Sequence, residues 1–240
     1  MTEASRPAPR PPSASTPLLG LLYRRKYELL LLALLQHLFV AVALPHLELY
    51  ARFVWPLSMA LLGLLSVGVF EGRSGARRTL RNVLSVVVLV FPIFRSLATP
   101  TPALMLAMSL CYVVFFAVIL IEVLRYLLRP SYISVDIVSA AICGSLLLLE
   151  TGIFVMQALY YAVPGAFRGL DTTSFTSVYL DLVYFCSIVV TSIGFGDITP
   201  VHHMSKLATS MLGITGQLYS VVLVGILISK YASATQESTS

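Results

Sequence analysis

The chain has 240 residues, of which 58% are hydrophobic and only 11% charged, against about 25% charged in a typical soluble domain. Its charge gathers in the connections between long apolar stretches, several of which approach or exceed the roughly 20 residues that cross a bilayer; this excludes an ordinary soluble globular protein. The net charge of +5 raises nucleic acid as a partner, but the basic residues flank apolar spans, as the positive-inside effect requires, and no nucleic-acid partner is expected.

Residues 1–20 hold five prolines among Ala, Ser and Arg, a composition that cannot bury a core and predicts a disordered cytoplasmic tail. Arg24, Arg25 and Lys26 precede the first apolar run, 27–45. A charged stretch, an apolar run and then Ala41-Val42-Ala43 also imitate a secretory leader, and the paired arginines a twin-arginine signal. The further spans downstream favour an ordinary first transmembrane helix. A second span is predicted at 53–70, after a turn at Pro45-His46, and the cluster Arg73, Arg77, Arg78 and Arg81 follows on the cytoplasmic side, in reach of anionic headgroups. The third span, 82–98, is interrupted by Pro92 and carries Arg95. Pro100 and Pro102 mark a turn. The fourth span, 103–125, is followed by Arg125, Arg129 and Pro130.

The fifth span, 132–163, is nearer about 45 Å than the ~30 Å of the hydrocarbon, so it tilts or projects. Pro164-Gly165 ends it. An outer loop, 164–174, leads to a shorter helix, 175–190, for which Thr172, Thr173 and Ser174 are the candidate N-caps. Pro200 precedes a last helix, 204–230. With six spans and the N-terminus inside, the inner side holds twelve Lys or Arg, and the outer side four: Arg52, Arg95, Arg168 and Lys206. That asymmetry predicts both termini in the cytoplasm. The ten residues after Lys230 are too few for a soluble ligand domain. Cys111, Cys143 and Cys186 lie in apolar segments at spacings that suit neither zinc nor disulfides; small buried hydrophobes are expected.

Between the two last helices stands Thr191-Ser192-Ile193-Gly194-Phe195-Gly196-Asp197. A pathway that strips an ion of water needs carbonyl oxygens all facing one axis, a backbone that L-residues alone rarely adopt. Glycine at alternate positions relieves that restriction, and Gly194 and Gly196 alternate. Ser192 adds a hydroxyl below the ladder.

This stretch resembles the filter of the tetrameric potassium channels, whose loops read T-V-G-Y-G. The resemblance covers residues 133–230. Tyr184 and Phe185 fall where that family places paired pore-helix aromatics that brace the filter. Asp197 falls where it places the acid just outside, and Gly216 at its inner-helix hinge. Gly216-Gln217-Leu218-Tyr219 is similar to bacterial members. The resemblance implies an all-α membrane protein with six transmembrane helices, a re-entrant pore helix and a selectivity filter, assembled as a homotetramer. Its parts would be a tail, 1–22; a four-helix voltage-sensor-like domain, 23–130; a pore domain, 131–232; and a short cytoplasmic tail, 233–240. The function implied is passive K⁺ conduction across the cell membrane, with no enzymatic activity and no cofactor beyond the permeant ion. Membrane lipids are the other expected partner. Ser192, Ile193, Gly194, Phe195 and Gly196 would line the ion path, the carbonyls of the first four holding K⁺, with Thr191, Asp197, Tyr184 and Phe185 in support.

Three positions depart from the family pattern. Ser192 stands for the usual threonine and Phe195 for the usual tyrosine. Ile188 lies where some members carry a buried glutamate, so Asp197 needs another partner, Tyr184 or a backbone amide. A voltage sensor needs about 3–4 gating charges per subunit. The fourth span offers only Arg125, at its inner end, so weak or absent voltage dependence is expected. Glu150 and Gln157 lie in the fifth span, where a buried carboxylate is either functional or a structural hydrogen-bond partner; both readings stand. Glu122 is placed for a local pair with Arg125. His202 and His203 lie outside the filter, as pH-sensitive groups or as solvated loop residues. His37 is expected to pack with one partner. The alternatives to a potassium channel are a nonselective cation channel of the same architecture and a potassium transporter. Transporters of that kind carry four pore units per chain, and this chain has one. An intramembrane enzyme lacks support: no His/Glu cluster, Ser/Lys dyad or paired aspartate motif lies inside a span.

Overall fold

Four helices converge on one, the segment Val135–Ala162. The computed structural model describes residues 25–44, 47–66, 86, 101–128 and 135–237. The expected tail at 1–22, the arginine cluster at 73–81 and, apart from residue 86, the third span at 82–98 lie outside the described residues.

The first helix, α1, is Lys26–Phe39, and a 3₁₀ turn at Val40–Ala43 closes it. Its inward face buries Leu30, Leu34 and His37 completely, as a span of a bundle does. The helical segment Leu47–Ser66 begins six residues before the expected 53. It passes through a π-turn at Tyr50–Val54 into α2, Trp55–Ser66. Arg52 does not delay it, because its guanidinium lies 5.6 Å from the Phe53 ring centre, a cation–π contact available to a cation near the end of a span. Helix α3, Pro102–Leu127, starts where Thr101 accepts the Leu104 N–H at 3.3 Å and Pro102 occupies the first turn. There the missing proline donor costs nothing.

Helix α4 is Val135–Ala162, about 42 Å long at 1.5 Å per residue. Helix α5, Phe175–Val190, is only about 24 Å long and is too short to cross. Helix α6 is His203–Glu237. It continues past the expected 230, since Ala, Gln and Glu in 232–237 favour helix and no Gly or Pro interrupts them. Two residues of the outer loop, Phe167–Arg168 (β1), pair antiparallel with Thr199–Pro200 (β2) in the register Phe167↔Pro200 and Arg168↔Thr199.

Helices α1, α3, α5 and α6 all pack on α4, and α3 does so most extensively. Of the leading helices, α1 and α3 thus lie against α4. An aromatic core joins four helices: Trp55 of α2 meets Tyr112 of α3 edge-on at 5.8 Å, Phe116 of α3 stacks on Phe154 of α4 at 5.5 Å, and Phe154 lies 5.9 Å from Tyr179 of α5. Such contacts add to what burial alone contributes. Close approach of α4 and α6 depends on glycine. A Cβ at Gly152 would lie 2.6 Å from Leu212 Cδ1, and one at Gly144 would strike the Tyr219 hydroxyl. That hydroxyl donates to the Ala141 carbonyl at 2.7 Å.

The two long helices differ sharply in cover. Of the most apolar stretch of each, 67% is buried in α4 but only 11% in α6. Among the described residues five helical segments are long and apolar enough to span a membrane. The protein is thus all-helical in its main elements, with several apolar helices of the kind that multi-pass membrane proteins use.

Candidate functional site

Helix α5 aims its C-terminus at the loop Thr191–Asp197. Its start is set by Ser174, in extended backbone, whose Oγ accepts the Ser177 N–H at 3.0 Å; of the three candidate caps, this one holds the helix. Its end is stitched by the next residues. Thr191 N–H donates to Ser187 O at 3.0 Å, and Thr191 Oγ1 donates to the same carbonyl at 2.7 Å. Ser192 N–H reaches Val189 O at 3.1 Å, and the Ile193 and Gly194 amides both reach Ile188 O, at 2.8 and 3.2 Å. These bonds satisfy carbonyls that a helix end leaves open and turn the chain sharply out of the helix.

From there the backbone alternates. Ser192, Gly194 and Gly196 have φ of 60°, 55° and 83°, whereas Ile193 and Phe195 stay out of the left-handed region. Glycine enters that region freely; Ser192 is the one described non-glycine residue that does. At φ near +60° a β-branched side chain is a genuine outlier. All of residues 191–197 are exposed, Ile193 by 56% and Phe195 by 72%.

The outer end is fixed by Asp197. Tyr184 Oη donates to Asp197 Oδ2 at 2.7 Å. That bond, with help from the Ile198 amide and against some desolvation, holds the carboxyl below the usual aspartate range. Gly169, at φ 91°, lies directly against the Asp197 carbonyl. Phe185 faces the other way: it is buried and meets Phe167 of β1 edge-on at 5.6 Å. The two adjacent aromatics thus serve different neighbours, Tyr184 the filter-like loop and Phe185 the outer strand. The strand pair is reinforced by Ala166 O, which accepts from the Val201 amide at 2.9 Å and from Ser205 Oγ at 2.7 Å. Sequence patterning does not reveal this clasp, since two-residue strands leave no alternation to detect. In the outer loop Asp171 accepts the Thr173 N–H at 2.9 Å, which lowers its carboxyl from the ordinary value, and its own amide donates to Asp181 at 2.6 Å. His202 and His203 stand with rings 4.0 Å apart at the start of α6, His202 Nδ1 accepting the Met204 N–H at 3.3 Å.

The inner end is held from α6. Gln217 Nε2 donates to Ser192 Oγ at 2.6 Å and approaches Val190 O at 3.4 Å. Gly216 lies beside Val190, where an added Cβ would come within 3.1 Å of Cγ1, and α6 runs as unbroken helix through it. The sequence by itself assigns Gln217 no role, although it stands in the run from Gly216 to Tyr219.

Behind α5 lies a buried polar junction. His37 of α1 places Nε2 at 3.0 Å from Tyr179 Oη of α5 and at 3.6 Å from Glu150 Oε1 of α4. His37 and Glu150 are fully buried. Neither Glu150 oxygen has a hydrogen bond among the described residues. His37 thus has two polar neighbours instead of the one expected, and Glu150, undecided on sequence, faces it from α4 at 3.6 Å. Gln157, one step out from this junction, is buried with Oε1 likewise unbonded among the described residues. Near the end of α3 Arg125 pairs with Glu122 at 2.6 Å, as the spacing predicts.

Residues 144–233 match the family model described as ion channel. The comparisons with curated proteins and with solved structures give no match. The matched stretch begins inside α4 and takes in the outer loop, α5, the alternating backbone and nearly all of α6. It supports an ion channel domain in this part of the chain, which points to passive conduction in place of enzymatic chemistry.

Proposed function

We propose that this protein is the subunit of a homotetrameric, potassium-selective channel of six transmembrane helices. In this reading α5 is the pore helix, residues 191–197 are the filter, and α6 lines the path inside it. The observation that carries the reading is the alternation of φ at Ser192, Gly194 and Gly196 on an exposed loop tied to a pore-helix end. Four such loops around one axis offer K⁺ the carbonyls of Ser192, Ile193, Gly194 and Phe195 in place of its water shell. Such a ligand set has to admit the ion yet release it. The C-termini of four pore helices add partial negative charge toward the cavity.

Assembly accounts for the exposed apolar surface. On α6, Leu207, Met211, Ile214, Leu218 and Val221 are each at least 60% exposed. They recur at steps of four and three residues, the seam spacing of packed parallel helices. A fourfold arrangement brings these stripes and the Phe195 side chains against neighbouring copies, in a closed symmetric ring. Both termini lie in the cytoplasm of a cell membrane, with lipid around the outer helices. Voltage dependence is weak or absent, because the one basic residue in the fourth span, Arg125, is held by Glu122.

A second reading, a nonselective cation channel, draws on Ser192 and Phe195, which stand where the resembled filters carry threonine and tyrosine. The test is purified protein in liposomes under opposed K⁺ and Na⁺ gradients. A reversal potential near the K⁺ equilibrium value is expected. A value near zero with robust current gives the second reading, and no cation current from correctly folded protein overturns both.

A further inference from the structure

The inner end of the alternating loop is gripped by a side chain of α6, from outside the loop itself. We propose that Gln217 is a specificity-determining residue: its amide, bonded to the Ser192 hydroxyl, sets the strength of the innermost cation site. This deepens the channel reading and rests on it.

A serine hydroxyl has one hydrogen and two lone pairs. With Gln217 Nε2 at 2.6 Å from Ser192 Oγ, one lone pair is occupied. An oxygen that already accepts an N–H gives less electron density to a cation. A glutamine amide carries two donor hydrogens. The one not on Ser192 approaches Val190 O at 3.4 Å, the last carbonyl of the pore helix. Gln217 thus holds both the first left-handed residue of the loop and the end of the helix that presents it. Tyr219, two residues on, ties the same turn of α6 to Ala141 O of α4 at 2.7 Å, so the amide is presented from an anchored segment.

A weak site favours large ions that lose water readily; a strong one recovers the hydration cost of small ions. Loss of the Gln217 donor frees the lone pair, strengthens the site and lets Na⁺ compete.

The test compares Na⁺-to-K⁺ permeability ratios, from reversal potentials, in wild type, Gln217→Met, Ser192→Ala and the double variant. Methionine keeps length and removes both donors. The ratio is independent of how much protein inserts, so a change in yield does not imitate the effect. A rise of about fivefold is expected in Gln217→Met, the factor that a typical hydrogen bond represents. No further rise is expected when the same change is made on Ser192→Ala, because the acceptor is already gone. Should Gln217→Met not assemble, Gln217→Asn is one methylene too short for the contact and gives the same comparison. An unchanged ratio in the Gln217 variants, or an equal rise with and without Ser192, overturns the proposal while leaving the channel reading intact. A wild type that passes no cations overturns the channel reading, and this assignment with it.

Discussion

Removing one oxygen from Tyr179 tests how the leading helices hold α5. In Tyr179→Phe the ring keeps its neighbours, since Phe154 and Trp55 lie 5.9 and 6.2 Å from it, centroid to centroid. Lost is the 3.0 Å bond to His37 Nε2. Glu150 Oε1, at 3.6 Å from that nitrogen, is too far to replace it, and His37 Nδ1 has no hydrogen-bond partner of its own among the described residues. The imidazole is fully buried, so the loss carries the cost of an unsatisfied buried polar group, about 1–3 kcal/mol per chain. For a chain of this size that corresponds to a fall in Tm of roughly 2–12 °C. The assay reports from the site itself, because the sequence has one tryptophan, Trp55, at 6.2 Å from the altered ring. Thermal unfolding in detergent followed by its fluorescence should show the lower midpoint, while Tyr160→Phe, at the outer end of α4, should match wild type. If Tyr179→Phe unfolds within about 1 °C of wild type, an effect below that range, the hydroxyl does not join α1 to α5 and the junction is held by packing alone.

The outer mouth gives two further expectations. Asp197 is held below its ordinary range chiefly by the Tyr184 hydroxyl; a depressed carboxyl contributes stability above the unfolded value of about 3.9 and loses it as pH falls through the lower folded value. Tyr184→Phe raises the folded value, so acid inhibition of ion flux, scanned from pH 6 to pH 3 (about two units above and one below the free carboxyl), should set in at higher pH than in wild type; an unmoved or lowered midpoint contradicts the assignment. At the neighbouring loop, Gly165 and Gly169 both have positive φ, but an added Cβ meets nothing within 4 Å at Gly165 and runs into the Asp197 carbonyl at Gly169. Gly165→Ala should therefore cost about 1 kcal/mol from backbone handedness alone, and Gly169→Ala distinctly more, measured as paired unfolding midpoints. Equal losses would remove the contact from the explanation.

Local chemistry in the sequence located α5 closely: the candidate caps Thr172, Thr173 and Ser174 and the break after 190 gave both ends, and the glycines at 194 and 196 announced the left-handed alternation. The expected tyrosine partner for Asp197 is the one found, because the two lie only thirteen residues apart across one helix and one turn. Less visible were features made by distant residues. His37 and Tyr179 are separated by 142 positions, and no local pattern says that a lone histidine in an apolar run faces α5. The Gln217–Ser192 bond spans 25 positions and depends on how α6 crosses the end of α5. The start of the second helical segment at Leu47 escaped because Arg52 reads as a loop charge until its neighbouring phenyl ring is considered.

The backbone of Ser192 bears on how this loop tolerates variation. Threonine, usual at this place in the filters this loop resembles, would carry its second β substituent in left-handed backbone, where a β-branched residue is an outlier. In a saturation library glycine, alanine and asparagine should survive at 192 while threonine, valine and isoleucine are depleted, reversing the ranking that similarity of side chains alone would give.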